Sequence, residues 1–153
     1  MTEVSFYHLE REPLDRALPK LLEKVAERGL RAVVIAGSEA RVEALNEYLW
    51  TYRRDGFLAH GAARDGHAAE QPIYLTTEEQ NPNGATVLIL VDGADAGFKA
   101  TFDRCLDLFD GTDPDALGEA RQRWRAAKAA GFDLTYWQQG PGGWEKKAEA
   151  AGA

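Results

Sequence analysis

At 153 residues the chain is long enough for one domain with its own core and too short to expect two. Its 44% hydrophobic and 28% charged residues argue against disorder of the whole chain. A formal net charge of -7 argues against direct duplex-DNA binding, because phosphate affinity comes mainly from Lys and Arg displacing counterions; any service to DNA is then expected to run through another protein.

Val4 to Leu9 alternates and is rich in β-formers, which predicts a strand. From Pro13 to Arg28, Leu14, Ala17, Leu18, Leu21, Leu22 and Val25 recur at helical spacing and Gly29 supplies a C-cap; Pro19 implies a start near Leu18 or a kink. Arg31 to Ala36 reads as a buried strand. Gly37-Ser38 turns the chain, and Ser38 caps a helix to about Tyr52 with Val42, Leu45, Tyr48, Leu49 and Tyr52 on its apolar side. Phe57-Leu58 is a short extended piece, and the polar, glycine-bearing run from Gly61 to Gln71 reads as a loop. Pro72 to Thr76 is a strand, Asn81 to Gly84 a turn, and Thr86 to Val91 the strongest strand in the chain. A short helix is expected around Asp95 to Thr101, a strand over Arg104 to Asp110, and a helix from Pro114 to Ala130 closed by Gly131. Phe132 to Gln139 is extended, and the turn Gly140 to Gly143 leads Trp144 to Lys147 back as a hairpin partner, with a frayed AEAAGA end.

The alternation predicts an α/β fold: a Rossmann-like, three-layer α/β/α sandwich around a mostly parallel central sheet. It is expected to occupy residues 1–139 as a single domain, with 140–153 as a C-terminal hairpin or flexible tail.

Few segments carry a chemical signature. There is no P-loop, no Gly-x-Gly-x-x-Gly fingerprint and no Gly-x-Ser-x-Gly elbow, and Gly37-Ser38-Glu39 offers only a weak anion site. His8, His60 and His67 have no ligand-like spacing, so no metal is expected; His60 is read as a surface or interface residue rather than a catalyst. The lone Cys105 excludes an internal disulfide, suits a reducing cytoplasm, and reads as a small buried hydrophobe. The start lacks a basic region followed by an apolar run, and no apolar stretch approaches the roughly 20 residues of a membrane span. No catalytic residue and no cofactor are assigned, and a cytoplasmic protein without membrane contact is expected.

One segment departs from the acidic average. Ala120 to Gly131 reads ARQRWRAAKAAG, with Arg121, Arg123, Arg125 and Lys128 and no acid among 12 residues. On a helix, Arg121, Trp124, Arg125 and Lys128 share a stripe: cations around one large ring. Such a stripe suits an acidic peptide ending in an aromatic residue, since Arg takes carboxylates bidentately while an apolar floor receives the ring. The plainer reading puts Trp124 in the core and leaves the arginines as a solvated face balancing Asp113, Asp115 and Glu119.

The segments VSFYHLE, RAVVIAGSEARVEALNEYLW, FLAHG, ATVLILVDG and ARQRWRAAKAAGFDL, in this order and spacing, resemble the chi subunit family of bacterial DNA polymerase III. The resemblance runs to about Gln138. It implies a non-catalytic accessory subunit of the holoenzyme that joins the clamp loader through a small partner, psi, and binds the acidic, phenylalanine-ending tail of single-stranded-DNA-binding protein. DNA is then reached only indirectly. By resemblance the tail site holds Arg121, Trp124 and Arg125, to which the helical stripe adds Lys128; Trp124 and Arg125 stand where tyrosine and lysine are expected in the family. The psi-facing surface implied is Trp50, Phe57, Leu58 and His60. The ending GPGGWEKKAEAAGA is longer than the family's. The alternatives are a helicase-like or nucleotide-binding Rossmann-type domain, disfavoured by the missing P-loop, and a small-molecule enzyme on a Rossmann-like scaffold.

Overall fold

The computed structural model describes residues 2–51 and 60–150. Its elements run β1 (Glu3–Leu9), α1 (Leu14–Glu27), β2 (Ala32–Ile35), α2 (Glu39–Thr51), β3 (Gly61–Ala62), β4 (Ile73–Thr76), β5 (Val87–Val91), β6 (Arg104–Asp110), α3 (Pro114–Ala129), β7 (Asp133–Gly140) and β8 (Gly143–Ala150). The strands form one eight-stranded sheet in the order β3-β4-β2-β5-β6-β1-β7-β8. Every neighbouring pair is parallel except β7 and β8, which form an antiparallel hairpin.

The central strands β2, β4 and β5 are buried at every position, as expected of parallel strands covered on both faces. Alternate residues feed two cores. Val34, Ile89 and Leu108 meet Leu18, Leu22 and Leu45 of α1 and α2 on one face. Val33, Leu88 and Phe6 meet Ala120 and Ala127 of α3 on the other. The result is the expected α/β/α sandwich. Each large aliphatic side chain buried this way contributes about 1.5–3 kcal/mol, and truncating Leu22 or Leu88, both fully buried, is expected to cost about 2–5 kcal/mol.

The helix ends follow local chemistry. Asp113 caps α3 by accepting from the Asp115 amide at 3.0 Å, with Pro114 at the first position. Gly131, at φ 86°, closes it while the Phe132 amide reaches back to the Ala127 carbonyl. The buried Gln139 of β7 accepts from the amides of Glu10, Arg11 and Glu12 at 2.9, 2.9 and 3.0 Å, so the C-terminal hairpin shapes the turn between β1 and α1.

Of the two arrangements that the sequence allows for α1, the structure has the one with the earlier start: the helix begins at Leu14 and Pro19 lies inside it. Three details depart from the sequence reading. The segment Asp95–Thr101 is helical only as a 3₁₀ turn over Lys99–Thr101, because Asp95 is engaged with the Ala96 amide and with Lys99. Gly61–Ala62 is a two-residue edge strand; Asp65 anchors it by accepting from the Ala62 amide and from Asn46 of α2, both at 2.8 Å. Finally, Ala148 to Ala150 are paired with β7 rather than frayed.

Candidate functional site

Helix α3 lies over β1 and β7 and opens a pocket of about 410 Å³ at the edge of their sheet face. Arg121, Trp124 and Arg125 line it from the helix; His8 from β1, Tyr136 and Gln138 from β7 and Ala148 from β8 complete it. Three of the four residues of the cationic stripe therefore converge. Lys128 is exposed one turn further along and does not line the pocket.

Trp124 combines the two sequence readings. One side packs edge-on against Phe6 and Tyr136, with centroids 5.5 and 5.8 Å away, while the half-buried ring still lines the pocket. Arg121 and Arg125 are exposed and make no ion pair with a described residue. Arg123, which shares the same basic run, faces the other way. It is buried and grips Asp107 of β6 through two bonds of 2.7 and 3.0 Å. The helix thus presents three exposed cations rather than four. Burial pushes the Asp107 carboxyl upward, and Arg123 opposes that rise.

The floor holds a polar pair that the sequence did not reveal. His8 Nδ1 lies 2.7 Å from the Tyr136 hydroxyl. Burial lowers the His8 pKa; Glu10 opposes this and Arg121 adds to it. Burial raises the Tyr136 pKa, against the positive charge of Arg121. Glu10 accepts from Gln138 Nε2 at 2.9 Å and stands 4.0 Å from His8 Nε2. Two unpaired guanidiniums beside an aromatic edge can take carboxylates in forked geometry while the ring contacts an apolar group.

The second predicted surface is only partly described. Trp50 is 51% exposed, the one large hydrophobic so exposed among the described residues. His60 is buried beneath it, with ring centroids 4.6 Å apart and Nε2 2.9 Å from the Asn46 carbonyl oxygen. Of the surface or interface position expected for His60, burial rules out the surface: packing under the indole and bonding to α2 withdraw it. Phe57 and Leu58 lie outside the described residues. Cys105 is fully buried, and its thiol is pushed up to about 12 by that burial. Among the described residues no cluster of His, Cys, Asp and Glu is arranged to hold a metal, and no helix is long and apolar enough to cross a membrane.

A family model described as DNA polymerase III chi subunit, HolC, matches residues 1–135. The chain belongs to this family. Among curated proteins, it is 39% identical over 95 residues to a probable DNA polymerase III subunit chi of Rickettsia prowazekii, covering 62% of this chain and 58% of that protein. It is 28% identical over 137 residues to the DNA polymerase III subunit chi of Pseudomonas aeruginosa, covering 88% of this chain and 94% of the relative. The corresponding protein of Escherichia coli is 26% identical over 143 residues, covering 88% and 96%. The family match takes in all of α3 but stops before Tyr136, Gln138 and Ala148. Part of the pocket is thus built by residues beyond the matched segment.

Proposed function

We propose that the chain is a non-catalytic accessory subunit of the DNA polymerase III holoenzyme, and that its pocket under α3 grips the acidic C-terminal tail of single-stranded-DNA-binding protein. The observation that carries this reading is the convergence of Arg121, Trp124 and Arg125 on one pocket, with neither guanidinium paired to a described residue. The terminal phenyl ring lies against Trp124 and Tyr136, the tail's carboxylates meet Arg121 and Arg125, and Lys128 attracts the acidic residues further up the tail. Each contact is weak alone. Many tails on one coated strand raise the effective concentration and keep the polymerase assembly near its template.

The same reading assigns the exposed Trp50 and the segment after it, including Phe57 and Leu58, to psi and through it to the clamp loader. His60 acts there by bracing the Trp50 ring. Trp50 is separated from α3 in sequence and belongs to the other face's helix, so both partners can be held at once.

A labelled tail peptide titrated by fluorescence anisotropy tests the function. Saturable binding is expected, weakened by added salt because exposed charges are screened, and weakened by deleting the final Phe. Binding that ignores both changes, or none at low salt, contradicts the proposal.

A further inference from the structure

The opposite face of the sheet carries a second aromatic pocket ringed by cations. It lies between α1 and the β7–β8 hairpin, with a volume of about 370 Å³. Leu21, Val25 and Leu106 contribute apolar walls, and Trp137 and Trp144 of the hairpin close one side. Tyr7 of β1 sits edge-on to Trp144, with centroids 5.0 Å apart at 83°. Both tryptophans lie past the 1–135 segment that the family model matches, so part of this pocket lies outside that segment.

Its charge is one-sided. Lys24, Arg28 and Arg104 line it and no carboxylate does. None of the three cations forms an ion pair with a described residue, in contrast to Lys20, which Glu12 neutralises at 2.7 Å. The Tyr7 hydroxyl makes no hydrogen bond to a described residue. Arg104 and Arg28 both act on that hydroxyl, holding down a pKa that burial raises; Glu3, at the start of β1, pushes the other way. A phenol and two guanidiniums that share one lining without a partner among the described residues, beside apolar and aromatic walls, call for a carboxylate attached to an apolar group.

We propose that this pocket is a second acidic-peptide site, taking the C-terminal residue end-on, with its carboxylate between Arg28 and Arg104 and its side chain against Trp144 and Leu106. The proposal shares the ligand class of the reading above but not its site. A peptide fits better than a nucleic-acid strand. The adjoining stretch, past Trp144, mixes Lys20 and Lys24 with Glu23 and Glu27, and Lys20 is already paired with Glu12, so no unbroken row of cations leads away from the pocket for a phosphate chain to follow, whereas a peptide entering by its end needs cations only at its terminal carboxylate. Two such sites on opposite faces make the chain bivalent, able to cross-link two tails.

The test is a titration of ¹⁵N-labelled full-length protein with a short synthetic Asp-rich peptide ending in Phe, read at the indole N–H signals. Trp124 reports the α3 pocket, and Trp137 and Trp144 report the second one. The expected result is saturable movement of the Trp137 and Trp144 signals that survives Arg121→Ala. It should weaken about tenfold or more in an Arg28→Ala/Arg104→Ala variant or with a C-terminally amidated peptide, since each removes a charge-assisted pair. Both arginines are exposed, so the variant should keep the wild-type Tm. Motionless Trp137 and Trp144 signals overturn the proposal, as does movement abolished by Arg121→Ala. Movement caused by a short single-stranded oligonucleotide but not by the peptide also overturns it. Failure of the α3 reading is seen separately, as a motionless Trp124.

Discussion

His8 Nδ1 and the Tyr136 hydroxyl, 128 residues apart in sequence, meet at 2.7 Å in the floor of the α3 pocket. The bond ties β1 to β7 directly beneath the arginines, and it holds a histidine whose pKa burial lowers. A lowered folded-state pKa means that the unfolded chain takes up the proton first. Stability is then full above the free histidine value of 6.5 and falls as pH drops from there toward the folded value. Urea unfolding on either side of that value should show the loss in wild type and a smaller one in His8→Gln. Equal slopes for the two proteins count against the burial account.

Arg123 and Asp107 provide a control for mistaking instability for lost binding. Arg123→Ala strands a buried carboxylate, which is expected to cost about 3–5 kcal/mol. Arg125→Ala, two residues on and exposed, should fall within about 0.5 kcal/mol of wild type. Denaturant titration of the two variants checks the contrast; similar stabilities would mean that the buried pair is not formed.

Gly111 is needed for space. A Cβ there would lie 1.8 Å from His8 Cδ2. Its φ is not in the left-handed region, so the clash is steric alone. Gly111→Ala is expected to lose about 1–3 kcal/mol by overpacking. In the His8→Ala background the loss should largely vanish, as a double-mutant cycle would record. Simple additivity contradicts the close approach.

The elements that read correctly from sequence are those with a strong local period. The Val- and Ile-rich run of β2, the apolar run of β5 and the leucine spacing of α1 each announce their own burial. The elements that failed depend on partners far away. Gly61–Ala62 becomes a strand only because β4 lies beside it and Asn46 holds Asp65. His8 and Tyr136 meet only because β1 and β7 are sheet neighbours, which neither segment encodes. Arg123 looked like its basic neighbours. The available signal was Asp107, a lone acid in the apolar strand Cys105 to Phe109, which had to find a buried cation. On the site itself, spacing brought Arg121, Trp124 and Arg125 to one stripe. The wall that makes the stripe a pocket comes from the hairpin.

Trp50 separates the two proposed partner surfaces. Its ring is largely solvent-exposed and braced by His60. Trp50→Ala should leave tail-peptide affinity unchanged and weaken capture of psi at least tenfold, the usual loss for a buried aromatic anchor at about 2 kcal/mol. Surface plasmon resonance with each partner checks this. An equal loss for both partners would contradict separate surfaces.

The most direct test of the central claim compares wild type with Arg121→Ala in one anisotropy titration, using a labelled peptide that carries the tail of the organism's own single-stranded-DNA-binding protein. Wild type is expected to bind saturably and the variant to show about a tenfold or greater rise in Kd, as follows when one charge-assisted contact is lost, with no change in Tm. Equal affinities, or no binding by wild type at low salt, would contradict the placement of the tail in the α3 pocket.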